Sequence, residues 1–457
     1  MSDQAHLSNL SGDKKAWLVY LTVRNLLAFQ RNRPASFAVL LLALLPVPPK
    51  FTKASADHLH RQINADTLRG IYELLFEPLQ NAALEGVNID CADGKVRRCF
   101  PILSSWIDDH MENVALLEIK SNVCPKSEVL PGELGTDGNS HRAPDYARYE
   151  RCERESASND SRTIFVTRGI DLEKNVFHGL HRVSAPDLHK PDLLHTVYLG
   201  LFKHLMDWIS GSLKKHARLQ AFDDTWKALP PYPWFFVPKK AYGEVTQWQG
   251  KEIRNLGRCL LGVRALALRQ PGCRQVIPFK HALDCVRALV NFNMRAQHPS
   301  QTPATIGYME EYLDRFQRMK DIFLESRFSK PTQAQVDNQR KELGDQRAQS
   351  NMREAPTKRR RRLEDNRDEE NELHMDMIDT ESDFNFVKMH LLSHFSAHIR
   401  QYGNLQMYST DFGELAHKEQ IKDGWRRSNK NEVKREILHS YGHPHAFRMR
   451  LLNLNSL

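Results

Sequence analysis

Trp17-Leu18-Val19-Tyr20-Leu21-Thr22-Val23 is an unbroken run of aromatic, aliphatic and β-branched residues, the composition of a β-strand. A second apolar run, Phe37 to Leu45, ends at Pro46, Pro48 and Pro49 and suits a strand buried on both faces, with a short buried helix as the competing reading. Beyond it, Leu59, Ile63, Leu68, Ile71, Leu75, Leu79 and Ala82 recur at near-helical spacing; Ser55 and Asp57 offer N-caps and Gly86 a C-terminal stop. Val87 to Gly94 reads as a short strand entering a turn, Phe100 to Ile107 as helical or irregular, and Val114 to Ile119 as a further strand. Strand, strand, helix, strand, helix, strand is an α/β order.

Working outward, residues 1–124 form one α/β body and residues 125–163 a polar linker rich in Pro, Gly, Ser and charge. Residues 164–330 read as a helical insertion. Its first stripe, Leu193, Val197, Leu201, Leu205 and Trp208, repeats at intervals of four, four, four and three. Further helices are expected across Gln247 to Arg269, Phe279 to Met294 and Ile306 to Ser326. Residues 331–380 include Lys358-Arg359-Arg360-Arg361-Arg362 and lack the large apolar groups needed for a core, so disorder or a solvated helix is expected. Order resumes in residues 381–457, where Phe386, Met389, His390 and Ser393 open a helix.

At 457 residues the chain exceeds one ordinary domain. Lys and Arg total 65 against 56 Asp and Glu, a modest positive surplus that favours phosphate-rich partners without requiring them. The 7 cysteines are irregularly scattered, unlike a secreted disulfide framework. Phe37 to Val47 is shorter than the roughly 20 residues a bilayer span needs, and it lies too far inside the chain for a signal peptide. The reading is a soluble intracellular protein with no membrane partner. The Lys358 to Arg362 run reads as a nuclear import signal, with a solvated charge run as the alternative. No Walker loop, dinucleotide fingerprint or nucleophilic cysteine constellation is present.

A two-metal nuclease needs three carboxylates converging on cations about 4 Å apart, and oxygen ligands suit Mg²⁺. Asp3, Asp93 and Glu414 stand at suitable places in the element order, although each also has an ordinary reading. Asp93 lies in an Ala-Asp-Gly turn, Glu414 at a helix start that Thr410 or Asp411 would cap, and Asp3 beside the terminus.

Four segments carry a resemblance. Ser2-Asp3-Gln4-Ala5-His6-Leu7 with Gly12-Asp13-Lys14-Lys15-Ala16-Trp17, Asp90 to Cys99, Pro191-Asp192-Leu193-Leu194-His195, and Glu414-Leu415-Ala416-His417-Lys418 with Gly424 to Asn429 together resemble the Plavaka transposases. These belong to the CACTA (EnSpm-like) cut-and-paste elements of fungi. The resemblance implies an RNase H-like mixed sheet interrupted by a large, mainly α-helical insertion. It also implies DNA cleavage and strand transfer by a DDE-type triad, with Asp3, Asp93 and Glu414 holding two Mg²⁺ or Mn²⁺ ions. DNA, as element ends and target, is the implied partner, and a homo-oligomer is left open. A transposase would work in the nucleus.

Lys95, Arg97 and Arg98 follow Asp93 and would hold backbone phosphate; Trp425, Arg426 and Arg427 mix an aromatic with cations, suiting stacking and phosphate contact. A solvated helix face is the alternative for both groups. Asp192 and His195 share a helix face, as a site-ordering or DNA-holding pair or as a cap with a half-buried histidine. Cys124-Pro125-Lys126-Ser127 stands where the family has two cysteines two residues apart, so no bound zinc is expected. Only two residues precede Asp3, and Leu18 and Arg24 replace the Pro and Gly usual in the family. The sequence therefore reads as an N-terminally truncated copy. Two functions stay open: a metal-dependent transposase, and a catalytically inactive, transposon-derived nuclear protein that binds DNA or other partners.

Overall fold

The computed structural model describes residues 1–8, 14–31, 33, 36, 38–47, 57–91, 93–117, 119–127, 129–135, 176–177, 180–215, 219–230, 233, 250–269, 279–325, 384–426, 432, 435–439 and 441–442. Along the chain these give β1 (Ser2–Ser8), β2 (Lys14–Thr22), the single turn α1 (Ala28–Arg31), β3 (Val39–Leu45) and the long α2 (Asp57–Glu85). The hairpin of β4 (Val87–Asp90) and β5 (Val96–Cys99) follows, then α3 (His110–Leu117). A π-helical stretch, Leu193–Phe202, runs into α4 (Lys203–Lys215). Next come α5 (Leu219–Lys227), α6 (Gly250–Arg269), α7 (Phe279–Ala296), α8 (Pro303–Met319), α9 (Phe395–Tyr402) and α10 (Asp411–Ala416).

The chain forms two compact units, both discontinuous in sequence. One comprises Met1–Leu130, Ser140–His195 and Ala397–Leu457; the other comprises Pro131–Asn139 and Thr196–Ser396. Asp192 and His195, expected inside the insertion, thus belong to the first unit. The tract around Lys358 to Arg362 lies outside the described residues.

In the first unit, β1, β2 and β3 form an antiparallel sheet with β2 in the centre. Asp3 stands opposite Leu18, and Trp17 opposite Leu45. Successive side chains of a strand point to opposite faces, and β2 buries both. Trp17 and Val19 join Leu68, Tyr72 and Phe76 of α2 together with Trp106, while Ala16, Leu18 and Tyr20 join Ile107, Ala416, Ile421 and Trp425. Each such side chain contributes about 1.5–3 kcal/mol by burial, which explains why the strand reads as a continuous apolar run rather than an alternating one. In the aromatic part of this core Trp106 stands edge-on to Tyr72 at 5.5 Å and to Phe76 at 5.9 Å between ring centres.

Gly86 ends α2 at a φ of 77°, and a Cβ there would lie 2.9 Å from both Arg98 and Phe100, so the turn into β4 demands glycine. Where a strand was expected from Val114 to Ile119, Val114 to Leu117 instead form the end of α3. Asp109 caps this helix by accepting the Glu112 amide at 2.8 Å, and Leu116 and Leu117 pack inward from it. Helical and extended apolar runs this short carry the same composition, and the cap decides between them. Residues 101–109 are irregular, except where Trp106 makes an isolated parallel bridge to His189.

The second unit is helical. Adjacent α6, α7 and α8 bury Leu256, Leu260, Leu289, Phe292, Met309 and Phe316, and Thr302 closes a capping box at the start of α8. Among the described residues no helix is long and apolar enough to cross a membrane.

Candidate functional site

The head of β1 is an acidic, largely buried place. The Met1 nitrogen donates to the Tyr20 carbonyl at 3.0 Å, and the Tyr20 amide returns a bond of 2.8 Å, which extends the ladder one residue ahead of β1. The Ser2 hydroxyl accepts from the Trp106 indole at 3.1 Å and donates to Glu112, whose Oε1 also accepts from the Trp17 indole at 2.9 Å. These bonds draw residues 106–112 onto the start of the strand.

Asp108 arrives there with its side chain only 2% exposed. Its Oδ1 lies 3.3 Å from His189 Nδ1, while Oδ2 is buried and has no hydrogen-bond partner among the described residues. Burial, with the charges of Glu112 and Asp109 added, pushes this carboxyl well above its ordinary value. Burial pulls the His189 imidazole well below its own, helped by Lys126 and Lys190. Neither residue was among the sequence candidates. The available signal was an acidic doublet, Asp108-Asp109, closing the apolar stretch that ends at Ile107.

The Glu414 motif reaches the same place. Helix α10 presents Gly413 to Met1, and a Cβ at that glycine would run into the Met1 thioether. The residue before Glu414 thus packs against a residue two before Asp3. The backbones of Asp3 and Glu414 are placed on β1 and α10, while their side chains lie outside the described residues.

Asp192 anchors the approach to α10. Its carboxylate accepts from the Thr410 amide at 3.2 Å and hydroxyl at 3.1 Å, and from the His195 amide at 2.7 Å and ring at 2.9 Å. Burial alone would raise this acid, but the His195 and Thr410 donors outweigh it and hold the carboxyl below its usual value. Asp192 caps its own helix start, the ordinary reading of the pair, and also bonds a distant element. Thr410 was noted in the sequence only as a potential helix cap.

Asp93 is placed differently. It sits in the exposed turn between β4 and β5, and its two oxygens accept from Arg97 at 2.7 and 2.6 Å. That bidentate pair holds the acid below its usual value. Arg98 donates to the Glu85 carbonyl and lies over the Phe100 ring, while Lys95 is exposed. Hairpin geometry thus engages two of the three cations expected to hold phosphate.

One expectation needs correction. Trp425 is 1% exposed and packs with Leu18, Tyr20 and Ile421, so it is a core residue and offers no stacking face. The sequence pattern of an aromatic beside cations missed this because burial is set by β2, about four hundred residues away. Arg426 is exposed and pairs with Asp423 at 3.0 Å; Arg427 lies outside the described residues. Cys124 is buried, its sulfur accepting from the Lys126 amide at 3.4 Å, and Ser127 is buried beside it in sequence.

The chain resembles none of the curated proteins with which it was compared. Residues 1–209, which hold β1 to β3, the hairpin, the Asp108 cluster and Asp192 with His195, match the family model described as Plavaka transposase, and in this region the chain is similar to those transposases.

Proposed function

We propose that the chain is a DDE-type transposase with an RNase H-like core, cutting and joining DNA strands in the nucleus with Mg²⁺, for which Mn²⁺ can substitute. The observation that carries this reading is the convergence at the head of β1. Asp3 follows that point on the strand, the Asp108 cluster is bonded to it through Ser2, and α10 packs on it through Gly413. An antiparallel meander followed by a long helix agrees with the opening of such a core.

The acids of the proposed triad are Asp3, Glu414 and one more. The sequence offers Asp93, and the geometry favours Asp108. Asp93 is exposed and already held by Arg97, whereas Asp108 lies at the head of β1 with one buried oxygen unpartnered. The donor set of carboxylates fits a hard divalent cation. When bound, such ions supply activation of a water or 3′ hydroxyl and stabilise the leaving oxygen. The chain's own residues do the positioning: His189 and Trp106 fix the Asp108 segment, Ser2 and Trp17 orient Glu112, and Asp192 holds Thr410 ahead of α10.

The test is cleavage of duplexes carrying element ends by the purified chain with Mg²⁺ or Mn²⁺. Metal-dependent nicking lost in Asp108→Ala and Glu414→Ala supports the reading. DNA binding without nicking under any metal would instead leave a transposon-derived DNA-binding protein.

A further inference from the structure

Away from the acidic site, the first unit gathers a second set of charged groups that the proposed cleavage chemistry does not use. Lys190 is only 8% exposed, and its ammonium has no hydrogen-bond partner among the described residues; it stands 3.2 Å above the centre of the Tyr402 ring and 5.8 Å from that of Tyr408. The Arg24 guanidinium shares the same two rings, at 6.0 and 5.2 Å, and donates to the Tyr402 carbonyl. His398 faces both rings at about 5 Å, with neither ring nitrogen bonded. Lys126 and Arg31 close the group, bonded to the carbonyls of His189 at 2.7 Å and Met407 at 2.6 Å.

The charge balance is unusual for a protein interior. Arg24, Arg31, Lys126 and Lys190 converge, while the acid that acts on the two lysines is the exposed Asp187, which also engages Tyr402. A buried cation without an anion is costly, and the group responds accordingly. Burial, with Lys126 nearby, pulls Lys190 down to about 7, and burial pulls His398 down to about 2. Cation–π contact with the two tyrosines offsets part of that cost but leaves three ammonium protons of Lys190 unshared. Tyr402 and Arg24 are each half-buried, so the group meets solvent at its edge.

We propose that Lys190, Arg24 and His398, framed by Tyr402 and Tyr408, form a binding site for a phosphoryl group, filled in the working protein by a backbone phosphate of DNA. A phosphate oxygen reaching Lys190 supplies the missing acceptor, and the excess positive charge becomes favourable rather than costly. The tyrosine rings fix the cations in advance and leave room for a sugar or base to lie against the half-exposed Tyr402. The DNA part of this inference rests on the transposase reading.

The experiment measures binding of the full chain to a labelled duplex of arbitrary sequence across a salt series, and to inorganic phosphate by thermal shift. Lys190→Met is expected to weaken duplex binding about eightfold at 0.1 M salt and to lower the salt slope by about one. Lys190→Arg should retain most of the affinity. Loss of the phosphate-induced thermal shift alone, with duplex binding unchanged, assigns the same site to a small phosphorylated ligand. Lys190→Met with a native melting profile that binds both probes as tightly as wild type overturns the site. The readouts separate the two readings: absence of cleavage by wild type sinks the transposase chemistry only, and unchanged binding of both probes by Lys190→Met sinks this site even in a protein that cuts DNA.

Discussion

Asp192 holds Thr410 by two hydrogen bonds, 3.2 Å to the amide and 3.1 Å to the hydroxyl, across 218 positions of sequence. Within the first unit this bond pair joins the end of the Asp192–His195 segment to the start of the helix that bears Glu414. Positioning of the proposed third acid therefore depends on a residue that has no contact with cations in the scheme above.

Asp192→Asn should destabilise the first unit by about 1.5–3 kcal/mol, because a buried carboxylate that accepts several bonds becomes an amide able to accept fewer. Thr410→Val should cost less, since the amide bond survives. The wild-type acid has a folded value below its ordinary 3.8. Its stabilisation is therefore complete above pH 3.8 and is lost as pH falls through the lower folded value. Urea denaturation at several pH values checks this: the difference between wild type and Asp192→Asn should shrink at acid pH. A pH-independent difference would count against the assigned hydrogen bonds.

Asp108→Asn should abolish cleavage while leaving the melting temperature close to that of wild type, because a neutral amide fills the same buried space but is a poorer ligand for a hard cation. Asp93→Ala should leave melting almost unchanged, its partner being an exposed arginine. Side-by-side nicking assays decide which acid completes the triad. Full activity in Asp108→Asn with none in Asp93→Ala would reverse the assignment made from geometry.

Trp425→Ala should cost about 3–5 kcal/mol through the cavity it leaves among Leu18, Tyr20 and Ile421. Calorimetry on the full chain measures it. A near-normal melting temperature combined with weakened DNA binding would show instead that the indole reaches solvent.

Gly86→Ala should destabilise by more than about 1 kcal/mol, since alanine resists a φ of 77° and its methyl would meet Arg98 and Phe100. Amide exchange should quicken first in β4 and β5. Unchanged protection in that hairpin would refute the tight turn.

Much of the local structure was legible. Leu68, with Tyr72 and Phe76 after it, lies on the helical face that the apolar spacing from Leu59 to Ala82 implied, and α2 covers that whole span. The strand from Trp17 and the strand ending at Leu45 were legible from their composition, although the latter is only partly buried, with Leu42 exposed, and not buried on both faces as expected. Val114 to Ile119 was misread because six apolar-rich residues fit either period, and the Asp109 cap that selects a helix stands outside the run. Trp425 was misread because exposure is a property of neighbours, and its neighbours lie on β2.

The sequence by itself determined the element types of the long periodic segments and the family resemblance of residues 1–209, because these depend on nearest-neighbour patterning and on motif spacing. Only the tertiary structure decided which charged groups meet. Asp108 reaches the head of β1, Asp192 reaches Thr410 and Lys190 reaches Tyr402 through hydrogen bonds and ring contacts. Such contacts are fixed by how distant elements pack, and no periodicity within either partner's own segment encodes them.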